Sequence, residues 1–380
     1  MKLLYVENTL AIHGGIERVL TDKLNWLVEH GGFEVCLLIA NQGDHPIVFP
    51  LDPKVEYHDL GIMFHRMYRH SGWKRYRMFF KLHKLFRQRI ATWIQTFSPD
   101  IIVCTRLEYL PYVRKVSRNI PVVYESHNSF FAYKLEENSL LRKFQIRWYC
   151  QAVKKVQMIV GLTQGDALEW QKLNPHVQVI PNVVHLNDTG KYSDCSSKSA
   201  IFVGRYTYQK DIQSLLHIWS LVHQRHPDWY LHIFGGYGID QEELQYQIRK
   251  LDMNIVVHES TSTIYDEYLR SSMLLMTSRY EPFGLVLPEA MSCGLPVVAF
   301  DCPYGPAEII TDGVDGFLIR NRSTEEYVDK VCMLMEDEKL RRKMGLKGVH
   351  SAQRYNANQV MPQWKQLFEQ IMKSQLNDNI

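Results

Sequence analysis

Residues 278–317, S-R-Y-E-P-F-G-L-V-L-P-E-A-M-S-C-G-L-P-V-V-A-F-D-C-P-Y-G-P-A-E-I-I-T-D-G-V-D-G-F, decide how the chain is read. Two carboxylates, Glu281 and Glu289, stand eight residues apart in it. The apolar run 273–276 before it reads as a buried strand, and 285–293 reads as a helix closed by Gly294. Glu281 is therefore expected in a loop at a strand's carboxyl end, with Phe283, Gly284 and Leu285 opening the helix. Free amides and a positive dipole end make such a start a place for an anion or a sugar hydroxyl. Gly284 has no side chain to keep a ligand off the backbone. Glu289 falls about a turn and a half into the helix, on a face that can look back to the same crevice. The pair can also be read as a dipole partner and a surface charge.

Outward from this stretch, strand-like and helix-like runs alternate along the whole chain. Strands are expected at 2–7, 33–39, 100–104, 121–125, 157–162 and 177–180. A polar segment, 186–199, reads as a linker, after which strands are expected at 200–203, 229–234, 254–257, 273–276, 296–299 and 316–319. This is the pattern of an α/β protein with helices wrapped around parallel sheets. A length of 380 residues suits two such domains. The segment 352–373 carries Tyr355, Val360, Trp364, Phe368 and Ile371 at near-helical spacing.

Hydrophobic content of 46% and charged content of 22% exclude a disordered chain. No apolar run approaches the ~18 residues of a membrane span, and the first strand-like run is too short for a signal peptide. Seven scattered cysteines suggest free thiols in a reducing cytosol. The sequence has no Asp-x-Asp pair, no His/Cys cluster and no His-Glu-x-x-His, so no metal is expected.

The spacing E-x7-E around F-G-L, then C-G-L-P-V-V-A and G-P-A-E-I-I-x-D-G-x-x-G-F-L, resembles the donor-sugar segment of the retaining glycosyltransferases of family four, group 1. The similarity is unbroken over 278–317 and recurs more weakly along nearly the whole chain. It implies the GT-B fold, two Rossmann-like doubly wound domains facing across a cleft. Residues 1–184 would form the acceptor-binding domain, 185–355 the nucleotide-sugar domain, and 356–380 a helix crossing back to the first. The run 301–309 is similar to a subset that builds bacterial surface polysaccharides, often from galactose-type donors.

Other residues acquire roles from the same resemblance. Gly14 and Gly15, between a strand and an amphipathic helix, allow a tight turn and a close approach to a ligand; the resemblance directs that loop to donor phosphates and acceptor. His127, just past a strand end, matches a histidine that touches the donor sugar, although a lone histidine is commonly structural. Arg205 and Lys210, after Gly204, lie across a strand-to-helix turn and can converge on one pyrophosphate. The family usually has glycine where Asp211 stands, and that carboxylate could cap the helix or pair with Lys210. Gly235, in Phe234-Gly235-Gly236-Tyr237-Gly238, is placed near the phosphates or nucleoside, and Glu289 at the ribose. Glu281, His127, Arg205 and Lys210 are the expected catalytic residues. Gly14, Gly15, Gly204, Gly235, Phe283, Gly284, Leu285 and Glu289 are expected to hold the donor with Arg205 and Lys210.

Residues 61–98 contain no Asp or Glu, and interleave Arg66, Arg69, Lys74, Arg75, Arg77, Lys81, Lys84, Arg87 and Arg89 with Phe64, Tyr68, Trp73, Tyr76, Phe79 and Phe80. Phe79, Leu82, Phe86, Ile90 and Trp93 are spaced as a helix's core face. A second basic cluster comprises Arg142, Lys143, Arg147, Lys154 and Lys155. Such surfaces suit an anionic leaflet or a pyrophosphate lipid, a merely solvated helix, or nucleic acid, for which no recognition motif is present.

The expectation is a metal-independent hexosyltransferase without a cofactor. It would use a UDP-linked sugar and a lipid-linked or oligosaccharide acceptor, in the cytoplasm at the inner membrane face. A sugar-nucleotide epimerase on the same fold would need carboxylates in the first domain's cleft, which the sequence does not reveal. A non-catalytic binding module built on the basic helix is the other alternative.

Overall fold

The computed structural model describes residues 1–236, 241–251 and 253–378. The chain divides into two compact units, Met1–Val183 with Ala357–Ile380, and Val184–Asn356.

The first unit holds strands β1 (Lys2–Glu7), β2 (Glu34–Ile39), β3 (Glu56–Asp59), β4 (Ile101–Cys104), β5 (Val122–Glu125), β6 (Met158–Gly161) and β7 (Val177–Val179). They form one parallel sheet in the order β3-β2-β1-β4-β5-β6-β7. Its helices are α1 (Gly15–Glu29), α2 (Gly72–Phe97), α3 (Leu110–Val116), α4 (Phe130–Leu135), α5 (Leu140–Val153) and α6 (Gln164–Gln171). In the second unit, β8 (Ser199–Val203), β9 (Tyr230–Phe234), β10 (Ile255–His258), β11 (Met273–Met276), β12 (Val297–Phe300) and β13 (Gly316–Ile319) form a parallel sheet ordered β10-β9-β8-β11-β12-β13. Around it lie α7 (Ile212–Arg225), α8 (Gln241–Lys250), α9 (Ile264–Arg270), α10 (Val286–Ser292), α11 (Gly305–Ile309), α12 (Thr324–Glu336) and α13 (Glu338–Ala352). The chain then enters α14 (Ala357–Asp378).

The central strands are buried on both faces, which is why β4, β11 and β12 are unbroken apolar runs. The edge strands β3, β7 and β10 hold no buried residue, and of these β3, Glu-Tyr-His-Asp, is the polar one. It follows no apolar pattern, so the sequence does not reveal it. Helix α2 begins earlier than its apolar spacing suggests, and its buried stripe is Leu82, Phe86, Ile90, Ile94 and Phe97. Phe79 and Trp93 are only half-buried.

The last helix starts close to residue 356, inside the apolar run 352–373 and not at its beginning. Residues 338–352 belong to α13, a short 3-10 turn follows, and α14 starts only at Ala357. Tyr355 therefore lies in the second unit, its ring 5.1 Å from that of Phe283. Val360, Trp364, Leu367, Phe368 and Ile371 complete the core face that the first sheet shares with Leu20, Leu24 and Leu27 of α1.

In the second unit, the buried Arg341 guanidinium donates to Cys195 O from Nε and Nη2 (3.0 and 2.9 Å) and to Leu334 O and Met335 O from Nη1. It thus ties the incoming linker to the end of α12, where carbonyls lack helical partners. All seven cysteines are free thiols.

Trp364→Ala should destabilise the first unit by about 3–5 kcal/mol, because a fully packed indole leaves a cavity that the sheet cannot close. A urea midpoint equal to that of the parent protein would contradict this packing.

Candidate functional site

In each sheet the strand order reverses once, between β1 and β4 and between β8 and β11. Loops leaving neighbouring strands diverge at such a point and open a crevice at the carboxyl ends. In the second unit, the loop after β8 carries Gly204, Arg205 and Lys210, and the loop after β11 carries Glu281.

Lys210 and Glu281 meet across that point. Lys210 Nζ donates to Glu281 Oε1 at 2.5 Å, and Ser278 Oγ donates to the same oxygen at 2.6 Å. Both charged side chains are largely out of solvent, at 14% and 5% exposure, so the carboxylate depends on this partner. The Lys210 stem crosses Gly204, where an added Cβ would lie 3.3 Å from it. Gly235 abuts the same turn: its Cβ would fall 2.0 Å from Gly204 O, so only glycine fits. Arg205 is exposed and forms no ion pair among the described residues. Tyr237 and Gly238 lie outside the described residues.

Asp211 does not pair with Lys210. It caps α7 through Ser214 and is bridged by Arg279 Nη2 at 2.9 Å and Arg322 Nη2 at 2.6 Å. Its φ is +50°, a left-handed conformation that glycine adopts freely and aspartate tolerates. That backbone requirement accounts for the glycine of the family pattern. Arg322 also donates to Thr277 O and Ser278 O, fixing the end of β11 just before Glu281. Sequence reading missed Arg322, which sits 111 residues from Asp211.

Helix α10 opens later than expected, at Val286, with Leu285 as its cap and only seven residues in length. Gly284 has φ +98° and is required for the turn. The amides of Phe283, Gly284 and Leu285 donate to no acceptor among the described residues. Phe283 is buried, and its carbonyl lies so close to Gly305 that a Cβ there would be 1.7 Å away. Glu289 accepts a 3.3 Å hydrogen bond from the buried Tyr268 hydroxyl. The ring of His258, at the end of β10, stacks on Phe234 at 4.2 Å.

In the first unit, Gly14 caps α1 in an extended conformation (φ −120°), so no left-handed turn calls for glycine there. The chain does turn tightly into α1, Gly14 N donating to Ile12 O at 2.8 Å, and an added Cβ would lie 2.4 Å from Glu17 Oε2. Gly15 begins α1. His127, just beyond β5, is buried, and its Nε2 lies 3.2 Å from Glu125 Oε1 at an angle outside hydrogen-bond geometry. Glu125 Oε2 accepts from the buried Lys23 of α1. Burial would push the Glu125 carboxyl up, but Lys23 and His127 outweigh it and hold it down to about 2. At the end of β1, Glu7 accepts from Arg106 Nε and Thr105 Oγ1, both at 2.5 Å. Carboxylates are thus present at this sheet's carboxyl edge, contrary to the sequence reading. Glu7 and Glu125, however, are each committed to a cation.

A cluster of potential metal ligands is also assembled that the sequence concealed. Donor atoms of Cys36, Glu56 and His58, on β2 and β3, lie within 4.8 Å of one another. Burial pushes the Cys36 thiol up to about 12, so it stays protonated and is a poor ligand. His58 is already bonded to Glu56 at 2.7 Å and stacked on Trp93 at 3.6 Å.

Two family models match the chain, one described as "Glycosyltransferase Family 4" over residues 13–188 and one as "Glycosyl transferases group 1" over residues 193–350. The chain belongs to the glycosyltransferases of family four, group 1. Within this family it is 28% identical to the amylovoran biosynthesis glycosyltransferase AmsD of Erwinia amylovora, covering 96% of this chain and 99% of that protein. It is 24% identical to the lipopolysaccharide 1,6-galactosyltransferase of Escherichia coli K12, covering 84% of each. Its fold matches that of HepE from Anabaena, solved with UDP and glucose, with a TM-score of 0.76 at 19% identity over 97% of this chain and 99% of that one. This glycosyltransferase therefore has the GT-B type of fold, with two Rossmann-like parallel-sheet domains.

Lys210→Met should destabilise the second unit by about 3 kcal/mol or more, since it strands a buried carboxylate. Lys210→Met/Glu281→Gln, with neither charge, should recover most of that loss in chemical denaturation. Equal midpoints for the single and double variants would show the pair to be energetically idle.

Proposed function

We propose that this glycosyltransferase moves a hexose, of galactose, glucose or N-acetylgalactosamine type, from a UDP-linked donor to a lipid-linked or oligosaccharide acceptor. Transfer retains the anomeric configuration, needs no divalent ion, and serves bacterial surface-polysaccharide assembly. The observation that carries this reading is the Lys210–Glu281–Ser278 constellation beside the unbonded amides of Phe283–Leu285, at the switch point of the second sheet. The names of the polysaccharide-building relatives and the UDP held by HepE support the substrate class.

When the donor binds, Lys210 and the exposed Arg205 take the pyrophosphate, Glu281 and the free amides take sugar hydroxyls, and Glu289 takes the ribose. The bond from the anomeric carbon to the β-phosphate oxygen breaks with its electron pair leaving on the pyrophosphate. The cations stabilise that charge where it develops, the task a metal performs in other transferases. The acceptor hydroxyl forms its bond to the anomeric carbon on the face just vacated, and its proton passes to the departing phosphate oxygen. Family resemblance gives His127 the contact to the transferred sugar and the Gly14–Gly15 loop a place beside the acceptor.

The same proposal places the first unit at an anionic membrane. Residues 71–77, the entry to α2, are exposed at every position, and Tyr68, Trp73, Tyr76 and Phe80 stand out among Lys74, Arg75, Arg77 and Lys81. On α5, Leu140, Leu141 and Phe144 are exposed beside Lys143 and Arg147. Aromatic and cationic groups mixed in this way suit a leaflet better than a solvated helix, which needs no exposed tryptophan.

Arg205→Ala should lower kcat/KM for the best of UDP-galactose, UDP-glucose and UDP-N-acetylgalactosamine by two orders of magnitude or more, a loss of about 3 kcal/mol in transition-state stabilisation. The variant should remain folded, and the parent rate should survive EDTA. A parent-like rate in the variant, or no turnover of any of the three donors, refutes the reading. Trp73→Ala/Phe80→Ala should reduce co-sedimentation with phosphatidylglycerol vesicles, whereas unchanged sedimentation would remove the membrane from the proposal.

A further inference from the structure

The buried pair behind His127 is not explained by stability. Lys23 and Glu125 are each at most 2% exposed, within a core of Leu3, Leu24, Val123 and Trp364. Removing two such charges from water costs more than their attraction generally returns, and apolar residues of similar volume would pack there as well. The ammonium is further enclosed by aromatic faces, 4.2 Å from the Trp364 ring and 5.2 Å from that of Tyr5. One carboxylate oxygen of Glu125 is taken by Lys23, and the other faces His127 Nε2 at 3.2 Å.

The chemistry of this row follows from counting charges. Without Lys23, Glu125 would be a buried anion with the histidine as its nearest counter-ion, drawing a proton onto the ring. With Lys23 in place that pull is weakened but not abolished, because the carboxylate stands nearer the imidazole, 3.2 Å from its Nε2, than the ammonium does. The other carboxyl in the field of His127 is Glu17 of α1, and Glu7, which neighbours Glu17, is paired with Arg106.

We propose that Lys23 and Glu125 act on the reaction through His127, the carboxylate beside the ring and the buried ammonium behind it together tuning the charge that the imidazole carries. Trp364 of α14 keeps the ammonium dry, so a helix far along the chain contributes to the setting. The functional half of this proposal rests on the reading that His127 contacts the transferred sugar.

The test follows the imidazole nitrogens by NMR of the full chain labelled with 15N-histidine, the His127 signal being assigned by its loss in His127→Gln. In Lys23→Met the His127 titration midpoint should rise by about one pH unit or more, and in Glu125→Gln it should fall. Either single variant leaves a buried charge unpaired and can fail to fold. Lys23→Met/Glu125→Gln removes both charges and should fold, with a midpoint below that of the parent. Coincident midpoints in the parent and the double variant overturn the proposed coupling. Turnover of UDP-galactose is measured in parallel. A parent-like rate in His127→Gln, with the midpoints shifted as expected, overturns the role of His127 and leaves the electrostatic coupling standing.

Discussion

The second unit depends on one ion pair that spans a gap in its own sheet. Strand order reverses between β8 and β11, so the loops leaving these strands have no common neighbour to hold them. Lys210 reaches from one loop and Glu281 from the other, 71 residues apart in sequence, and each makes the other's burial tolerable. Arg322 and Asp211 brace the same two loops from behind, through side-chain and carbonyl bonds at the end of β11. The outcome is a floor of mutually bonded charges beside a short run of amides that donate to no acceptor among the described residues. Electrostatic stabilisation of a departing anion requires such a floor to exist before the substrate arrives.

The first unit uses charge differently. Its cations and carboxylates at the sheet's carboxyl edge are largely spent on one another, Glu7 with Arg106 and Glu125 with Lys23. Glu17 and the Nε2 of His127 lie beside these pairs without a hydrogen-bond partner that closes them off among the described residues.

Most of the fold could be read from the chain because parallel strands buried on both faces must be apolar throughout, and β4, β11 and β12 are. The polar edge strand β3 escaped because nothing in Glu-Tyr-His-Asp distinguishes it from a loop. Residue types at the site were legible through their spacing, but their pairings were not. Lys210 was read as a phosphate ligand and Glu281 as a sugar ligand, and nothing local shows that they bind each other. Asp211 was ambiguous until its positive φ and two arginines were seen together. The helix start at Phe283–Leu285 was placed too early, since the left-handed Gly284 postpones the first helical residue to Val286. Trp364 was legible as part of a helix's apolar face, but its meeting with Lys23 and Glu125 was not, because long-range burial alone brings the three together.

Helix α14 has a consequence for how the protein is made. The first sheet's core lacks Val360, Trp364, Leu367 and Phe368 until these residues have left the ribosome, and the whole of Val184–Asn356 is synthesised before them. At a translation rate of about 5–20 residues per second, the early half waits roughly ten to thirty seconds with an apolar groove uncovered. The half translated second can close its own core first, reversing the usual order of maturation along a nascent chain.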